Sequence, residues 1–311
     1  YALPCFVLAK VLKKNPALIA SELAAKIKNN LELEKVEAVG GYLNIFVNRA
    51  VLAEESLEKI TKQKDSYGSS KIGKGKKIVI DMSSPNIAKP FGVGHLRSTI
   101  IGNAIANLSK FQGYNVAKIN YLGDWGTQFG KLIVGYKKFG SAEKLKKEPI
   151  KHLLELYVKV SGDADLDEAS RMEFKKLEDG DKENLKLWKI FRDLSLKEFN
   201  KIYDILGVKF DAIEGESDYN TKMEKIVKEL KEKNLLEESQ GAQIVNLESY
   251  GLGVCLIKKS DGATLYTTRD ITAAIARHKK YKFDKMFYEV GSEQKLHFNQ
   301  IFKVLELMGH H

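Results

Sequence analysis

Two short β-branched runs, Lys77-Ile-Val-Ile-Asp-Met82 and Val116-Ala-Lys-Ile-Asn-Tyr121, bracket a polar loop and a helix-patterned stretch. The loop, residues 83–94, is rich in Ser, Pro, Asn and Gly, and the amphipathic pattern runs from about His95 to Gln112. Strand, crossover helix and strand in that order make one βαβ unit of a parallel sheet. This constrains the chain more than any other feature, because ligands of open parallel sheets bind beyond the carboxyl ends of the strands. Strand character returns late, at 243–247, 253–257, 264–267 and 285–290, with helices expected over 269–279 and 295–308. We read these as a second set of parallel-sheet elements. Charged helical patterns dominate between the two sets, at 142–160, 169–176 and 182–206, and predict a helical insertion over about 140–250.

Residues 1–62 read as a small α/β unit. Phe6, Leu8, Val11 and Leu12 share one helix face, Asn15-Pro16 breaks that helix, and Ser21 is the expected cap of a second one. Residues 36–47 alternate about Gly40-Gly41, which predicts a hairpin, and 51–62 read as helix. The stretch 63–77 is polar, basic and Gly/Ser-rich. It predicts a linker, with an N-terminal domain over 1–75 and a second domain over 76–311.

The 311 residues suit two domains and a sizeable core; 43% are hydrophobic and 30% charged. The longest apolar runs are far too short to span a bilayer, so no membrane partner is expected. The start has no secretory pattern and no Met, and the last helical pattern has barely ended at Met308. The chain therefore reads as part of a longer protein, with His310 and His311 either native or the stub of a purification tag. Two cysteines, Cys5 and Cys255, suit a reduced, cytoplasmic protein. Net charge is +10, and residues 1–80, with 14 basic and 8 acidic residues, carry +6 of it. That balance suits a polyanionic partner such as nucleic acid, and equally a solvated lysine surface.

Four strand ends supply polar residues. After the first strand come Ser83-Ser-Pro-Asn-Ile-Ala-Lys-Pro-Phe-Gly-Val-Gly-His-Leu-Arg-Ser-Thr99. Gly92 and Gly94 let a phosphate approach the backbone, helix N-terminal amides donate to it, and Lys89, His95 and Arg97 add charge. The spacing matches neither the dinucleotide-binding nor the P-loop glycine pattern, and a plain turn with a capping histidine stays open. Gly123-Asp-Trp-Gly126 offers Trp125 as a stacking platform or as packing. Leu265-Tyr-Thr-Thr-Arg-Asp270 puts Tyr266 at a strand end and Asp270 in a first helical turn, which the helix dipole alone would favour. Gly291-Ser-Glu-Gln-Lys-Leu-His297 puts Gln294 and His297 three apart, which taken singly is an ordinary cap. Together the four ends point to one cleft. The histidines lack ligand spacing, so no metal site is expected, and neither cysteine has a nucleophile setting.

Several runs then carry a resemblance. Ser84-Pro-Asn-Ile-Ala-Lys-Pro-Phe-x-Val-Gly-His-Leu-Arg-Ser-Thr-Ile-Ile-Gly102 closely resembles the arginyl-tRNA synthetases. So do Asn120-Tyr-Leu-Gly-Asp-Trp-Gly-Thr-Gln-Phe-Gly130, Lys176-Leu-Glu-Asp-Gly-Asp181, Leu194-Ser-Leu-Lys-Glu-Phe199 and Gly215-Glu-Ser217. Lys259-Ser-Asp-Gly-Ala-Thr-Leu-Tyr-x-Thr-Arg-Asp270 and Leu305-Glu-Leu-Met-Gly309 complete the match in order over essentially the whole chain. Tyr1-Ala-Leu-Pro-Cys-Phe-x-Leu-Ala-Lys10 looks like that family's extra N-terminal domain.

The resemblance implies an α/β fold: a class I Rossmann-type catalytic domain with a helical insertion, preceded by a small α/β tRNA-binding domain. It implies activation of L-arginine by ATP, with Mg2+, to arginyl-adenylate, and transfer to the terminal ribose of tRNA(Arg). The implied enzyme is an arginine–tRNA ligase, cytoplasmic and monomeric. By motif position, Asp270, Tyr266 and Gln294 look like the guanidinium-reading set, and Asp81, Ser84 and Asn86 like contacts for the amino acid's backbone end. Lys89 resembles the lysine near the carboxylate and the ATP phosphates. Gly92, Gly94 and His95 fall on the nucleotide signature, with Gln294 and His297 where ATP approaches. His95 and Lys89 are the implied catalytic pair, and Glu216 and Trp125 are implied to face the tRNA 3′ end.

Two departures matter. The family signature runs His-x-Gly-His, and Gly92 stands where the first histidine would be. A lost donor of that kind costs roughly 2–4 kcal/mol of transition-state stabilisation. The chain also ends before the family's Lys-Met-Ser-Lys-Ser-like loop and its anticodon-binding domain, so low activity is expected of it alone. The alternatives are a non-catalytic tRNA- or arginine-binding paralogue and, less well matched, a class I synthetase for another amino acid.

Overall fold

The computed structural model describes residues 1–27, 31–260 and 265–310. Asp261-Gly-Ala-Thr264 of the Lys259–Asp270 motif, and His311, lie outside the described residues. The chain divides into two compact units, Tyr1–Ser69 and Ser70–His311.

The first unit runs β1 (Ala2–Pro4), α1 (Phe6–Leu12), α2 (Pro16–Lys26), β2 (Leu33–Val39), β3 (Tyr42–Val47) and α3 (Arg49–Gln63). β3 lies between β1 and β2 and is antiparallel to both, so the expected hairpin forms about Gly40-Gly41. Its core is Cys5, Ile19, Ala20 and Leu43. Ser21 is not a cap; it lies inside α2. Asn15 caps that helix, its Oδ1 accepting the Ala17 N–H at 2.8 Å, and Pro16 takes the first turn. Proline suits that place because its missing N–H would have no helical partner.

The second unit begins with β4 (Lys77–Asp81), α4 (Val93–Phe111) and β5 (Asn115–Leu122), the crossover expected from the sequence. Then come α5 (Thr127–Phe139), α6 (Ala142–Lys147), α7 (Pro149–Val160), α8 (Ala164–Glu178) and α9 (Lys182–Leu206). β6 (Ala212–Gly215) and α10 (Met223–Glu232) lead to β7 (Glu237–Ser239), β8 (Ala242–Asn246) and β9 (Val254–Lys258). The last elements are α11 (Tyr266–Tyr281), β10 (Lys285–Tyr288) and α12 (Lys295–Leu307). The central sheet has the order β10-β4-β5-β6, with each neighbouring pair parallel. Ile78, Val79 and Ile80 of β4 are buried on both faces, as a parallel strand covered by helices requires.

Four expectations need correction. The helical insertion is shorter than 140–250: α9 ends at Leu206, and β6 rejoins the sheet beside β5. The 142–160 helix is two helices, because Pro149 opens a new one. β7, β8 and β9 form their own antiparallel sheet, since the few residues joining β8 to β9 are too few for a parallel crossover. Tyr266 and Thr267 are helical rather than strand. Threonine is accommodated there because Thr268 donates its hydroxyl to Ile257 O at 2.5 Å and Thr272 donates to Thr268 O at 2.6 Å. The end of the 63–77 linker packs on the second unit, where the Gly73 N–H donates to Gln112 O at 3.0 Å.

One buried cation ties α11 to the sheet. Arg277 is 1% exposed; its Nη1 donates to Asp81 at the end of β4 at 2.8 Å, and its Nε donates to Glu214 on β6 at 2.9 Å. Tyr219 and Lys280 also donate to Glu214, at 2.7 and 2.9 Å. Burial pushes the Glu214 carboxyl up, but the Tyr219 hydroxyl and the Arg277 and Lys280 cations outweigh it and hold it at about 2. Arg277→Met leaves buried Asp81 without its counter-charge and Glu214 with Lys280 as its remaining cation, and we expect a loss of about 3–5 kcal/mol in chemical denaturation. Without substitution, the stability tied to Glu214 is complete above its ordinary value of 4.5 and is lost as pH falls toward 2.

Candidate active site

Beyond the carboxyl ends of β4 and β5 opens a cleft of about 680 Å³. Its wall takes Ser83, Ser84 and Asn86 from the loop after β4, Gly94 and His95 from α4, and Tyr121 and Gly123 from β5 and its end. Glu216 comes from the turn after β6, Tyr266, Asp270 and Arg277 from α11, and Tyr288, Gln294 and His297 from the chain around β10 and α12. The volume suits a small-molecule substrate.

The loop after β4 is strained. Ser83, Ser84 and Ala88 have φ of 76°, 49° and 61°. Such conformations cost of order 1–3 kcal/mol each and persist only where the surroundings hold them. Here Ser83 Oγ meets the Tyr203 hydroxyl of α9 at 2.8 Å, and the Ala88 N–H donates to Ser195 Oγ of the same helix at 3.0 Å. Ser84 Oγ donates to Asp81 Oδ1 at 3.0 Å. Both Asp81 oxygens are thus engaged, one by Ser84 and one by Arg277. The Ile87 N–H donates to Gly123 O at 3.1 Å, and the Gly123 N–H to Pro85 O at 3.2 Å. A Cβ at Gly123 would lie 2.1 Å from Asn86 Oδ1, so the Asn86 side chain would have to give way to any larger residue there.

At the start of α4, the Gly92 N–H donates to His95 Nδ1 at 3.1 Å. In the neutral ring the proton therefore sits on Nε2. Burial lowers the His95 pKa from its ordinary value, which favours that neutral form.

Across the cleft, His297 Nε2 lies 2.8 Å from Asp270 Oδ2, and the Tyr266 ring is 5.0 Å from that of His297. Glu216 lies 3.5 Å from Arg269 and accepts the Trp125 N–H. Burial above all, with Asp270 and Asp124 nearby, pushes its carboxyl up to about 7 against the pull of Arg269.

The cleft brings together Asp81, Ser84, Asn86, Gly94, His95, Glu216, Tyr266, Asp270, Gln294 and His297. It leaves out Lys89, Trp125 and Gly92. Lys89 Nζ sits 5.9 Å over the Tyr157 ring of α7. Trp125 packs edge-on to Phe174 and Trp188, at 5.8 and 5.9 Å, so its large apolar ring is packing and only its backbone reaches Glu216. Gly92 caps α4 in an extended conformation. Tyr266 opens α11 rather than ending a strand, which moves Asp270 into the second turn. Sequence reasoning missed Tyr121, Arg277 and Tyr288. Arg277 carries a signal: it lies two helical turns after Asp270 and so shares its face.

The class I (R) tRNA synthetase catalytic-domain family matches residues 56–311, and the arginyl-tRNA synthetase N-terminal domain family matches residues 1–47. The chain belongs to the arginyl-tRNA synthetase family. It is 55% identical over 313 residues to an arginine–tRNA ligase of Clostridium perfringens, covering 99% of this chain and 55% of that one. A Clostridium botulinum arginine–tRNA ligase is 54% identical, over 100% of this chain and 56% of its own length. The chain thus spans about half the length of the curated relatives it matches. The crystal structure of Plasmodium falciparum arginyl-tRNA synthetase superposes with a TM-score of 0.75 at 28% identity, covering 96% of this chain and 53% of that one. The parallel-sheet class I domain and the N-terminal domain are therefore those of this family. No helix among the described residues is long and apolar enough to cross a membrane.

Two glycines in the family's motifs differ in need. A Cβ on Gly92 would find only His95 Nδ1, at 4.0 Å. Gly92→Ser should change stability by no more than a few tenths of a kcal/mol. Gly123→Ala should cost about 1–3 kcal/mol through overpacking. Thermal denaturation of the two variants separates the cases.

Proposed function

We propose that the cleft binds L-arginine and ATP, and that the chain carries the amino-acid-activating machinery of an arginine–tRNA ligase. The observation that carries this reading is the pair of carboxylates, Asp270 and Glu216, in one partly buried cleft that also holds the first turn of α4, and it reassigns Glu216 from the tRNA 3′ end to the guanidinium set. A guanidinium is a permanently charged planar fork with five donors, and two carboxylates suit it. Tyr266 and Gln294 border the same wall. Lysine would place its charge but leave acceptors unpaired, a mismatch that discriminates strongly.

At the other end, Ser84 and Asn86 take the backbone end of arginine, with Asp81 acting through Ser84. The α4 amides and the His95 Nε2–H take the phosphates. The arginine carboxylate attacks the α-phosphorus of ATP, pyrophosphate leaves, and His95 stabilises charge on the phosphoryl oxygens. The tRNA ribose hydroxyl then attacks the carbonyl carbon, and AMP leaves. Mg2+ is taken to accompany the ATP phosphates, the usual mode of binding at nucleotide sites. The buried free thiols of Cys5 and Cys255 suit a reducing cytoplasm, and we take the chain to act as a monomer.

Gly92, standing where the family has a histidine, favours a second reading: arginine or tRNA binding without activation. Calorimetry combined with ATP–pyrophosphate exchange tests both. We expect arginine to bind, lysine not to displace it, and Asp270→Ala to abolish binding. Arginine affinity should rise as pH increases through about 7, because ionised Glu216 is the binding form. Binding without exchange in a full-length chain that keeps Gly92 would select the second reading, and a folded chain that binds neither arginine nor tRNA would remove both.

We also propose that residues 1–75 bind tRNA through their basic surface. Deleting them should weaken tRNA binding and flatten its dependence on salt concentration. An unchanged salt slope would refute that role.

A further inference from the structure

Asp124 directly follows β5 and its Gly123 neighbour; it is fully buried and lies off the cleft wall. Its carboxylate joins three elements. Oδ1 accepts the Ser217 N–H at 2.9 Å, and Oδ2 accepts the Ser217 hydroxyl at 3.0 Å and Arg192 Nε of α9 at 3.0 Å. Its main-chain carbonyl accepts Trp188 Nε1–H, also from α9, at 2.7 Å. Gly215 has no room for a side chain, since a Cβ there would lie 2.1 Å from Asp124 Oδ2. A buried carboxylate needs a counter-charge, and Arg192 supplies it. The other bonds go beyond that need. They fall on the residue after Glu216, and the close approach falls on the residue before it. Glu216 itself accepts the N–H of Trp125, the residue next to Asp124.

We propose that Asp124 is a positioning residue for substrate recognition: by clasping Gly215 and Ser217 it holds Glu216 in the cleft with Asp270. The inference rests on the reading of Glu216 as a partner of the substrate guanidinium. It also gives α9 a role at the far side of the site, through Arg192 and Trp188. The groups facing Glu216 are Arg269 and Asp270 of α11, Asp124 itself and the Tyr121 phenol. Asp218, on the same turn, accepts the Gly215 N–H at 2.8 Å.

The test uses the whole chain with Asp124→Asn and, as a milder variant, Ser217→Ala. Carbon-detected NMR follows the Glu216 carboxyl titration, and calorimetry measures arginine and ATP separately. Asp124→Asn removes a negative neighbour, so the Glu216 midpoint should fall below about 7. Arginine binding should weaken about tenfold, the loss expected for one charge-assisted hydrogen bond, with ATP binding unchanged. Ser217→Ala keeps the charge; it should leave the midpoint in place and still weaken arginine binding alone. If Asp124→Asn does not fold, Ser217→Ala decides. A purely structural Asp124 would lower the melting temperature and weaken arginine and ATP equally, and that result overturns the proposal, whatever the midpoint does. Arginine binding that is indifferent to Glu216→Gln overturns the reading of Glu216 and this proposal with it. An affinity that depends on Glu216 but not on Asp124 or Ser217 overturns the proposal alone.

Discussion

The buried guanidinium of Arg277 is the contact on which the rest of the second unit turns. It bridges Asp81 on β4 and Glu214 on β6, the strands on either side of β5. Removing such ions from water costs several kcal/mol each, and their attraction repays this only with good geometry. The pairing is therefore a poor source of net stability and a strong source of register. Were α11 rotated or shifted by one residue, both carboxylates would lose their partner. Tyr266, Asp270 and Arg277 are spaced four and seven apart along α11 and share one face. Fixing Arg277 against the sheet therefore fixes Tyr266 and Asp270 over the cleft.

The helical segment between β5 and β6 has a matching role. Its hydrophobic core, around Phe129, Ile133, Leu153, Phe191 and Phe199, anchors α9 as a long rod against its neighbours. From that rod, Ser195 and Tyr203 hold the strained loop after β4, and Arg192 and Trp188 hold the loop after β5. Packing energy in the helical layer thus offsets backbone strain at the site. That arrangement suits a cleft whose polar groups must be in place before a charged ligand arrives, since preorganised dipoles need no reorientation when charge develops.

Much of this was legible in the sequence. The β4–α4–β5 crossover, the N-terminal hairpin and the span of α9 follow from periodicity and turn residues. The misreadings have physical causes. β6 reads as part of the helical insertion because its Ala-Ile-Glu-Gly run carries Glu214, a charge with a solvent-facing look that the buried Arg277 beside it explains. The Tyr-Thr-Thr run at 266–268 reads as strand by propensity, and hydroxyl bonds to the Ile257 and Thr268 carbonyls let it be helix. The antiparallel pairing of β8 and β9 is legible in their short connection rather than in their residue pattern. At the site, the residues at strand and helix ends converge on one cleft. Lys89 and Trp125 lie outside it, because chemistry-bearing side chains in a Gly-rich loop do not declare which way they face, and both meet aromatic partners in the helical layer.

Glycine is the clearest record of these constraints. Gly123 and Gly215 sit at the ends of neighbouring strands, and at each a Cβ would strike a polar side chain from the adjoining loop, Asn86 in one case and Asp124 in the other. Neither has a positive φ. They are glycines because three loops converge at the carboxyl edge of the sheet more closely than side chains permit. That closeness lets backbone donors and carboxylates of different strands face one volume. Gly92 lies outside this convergence, with room beside it and an ordinary backbone. The geometry therefore places no demand for glycine there, and a side chain at that position would meet the rim of α4 without disturbing the clasp beneath it.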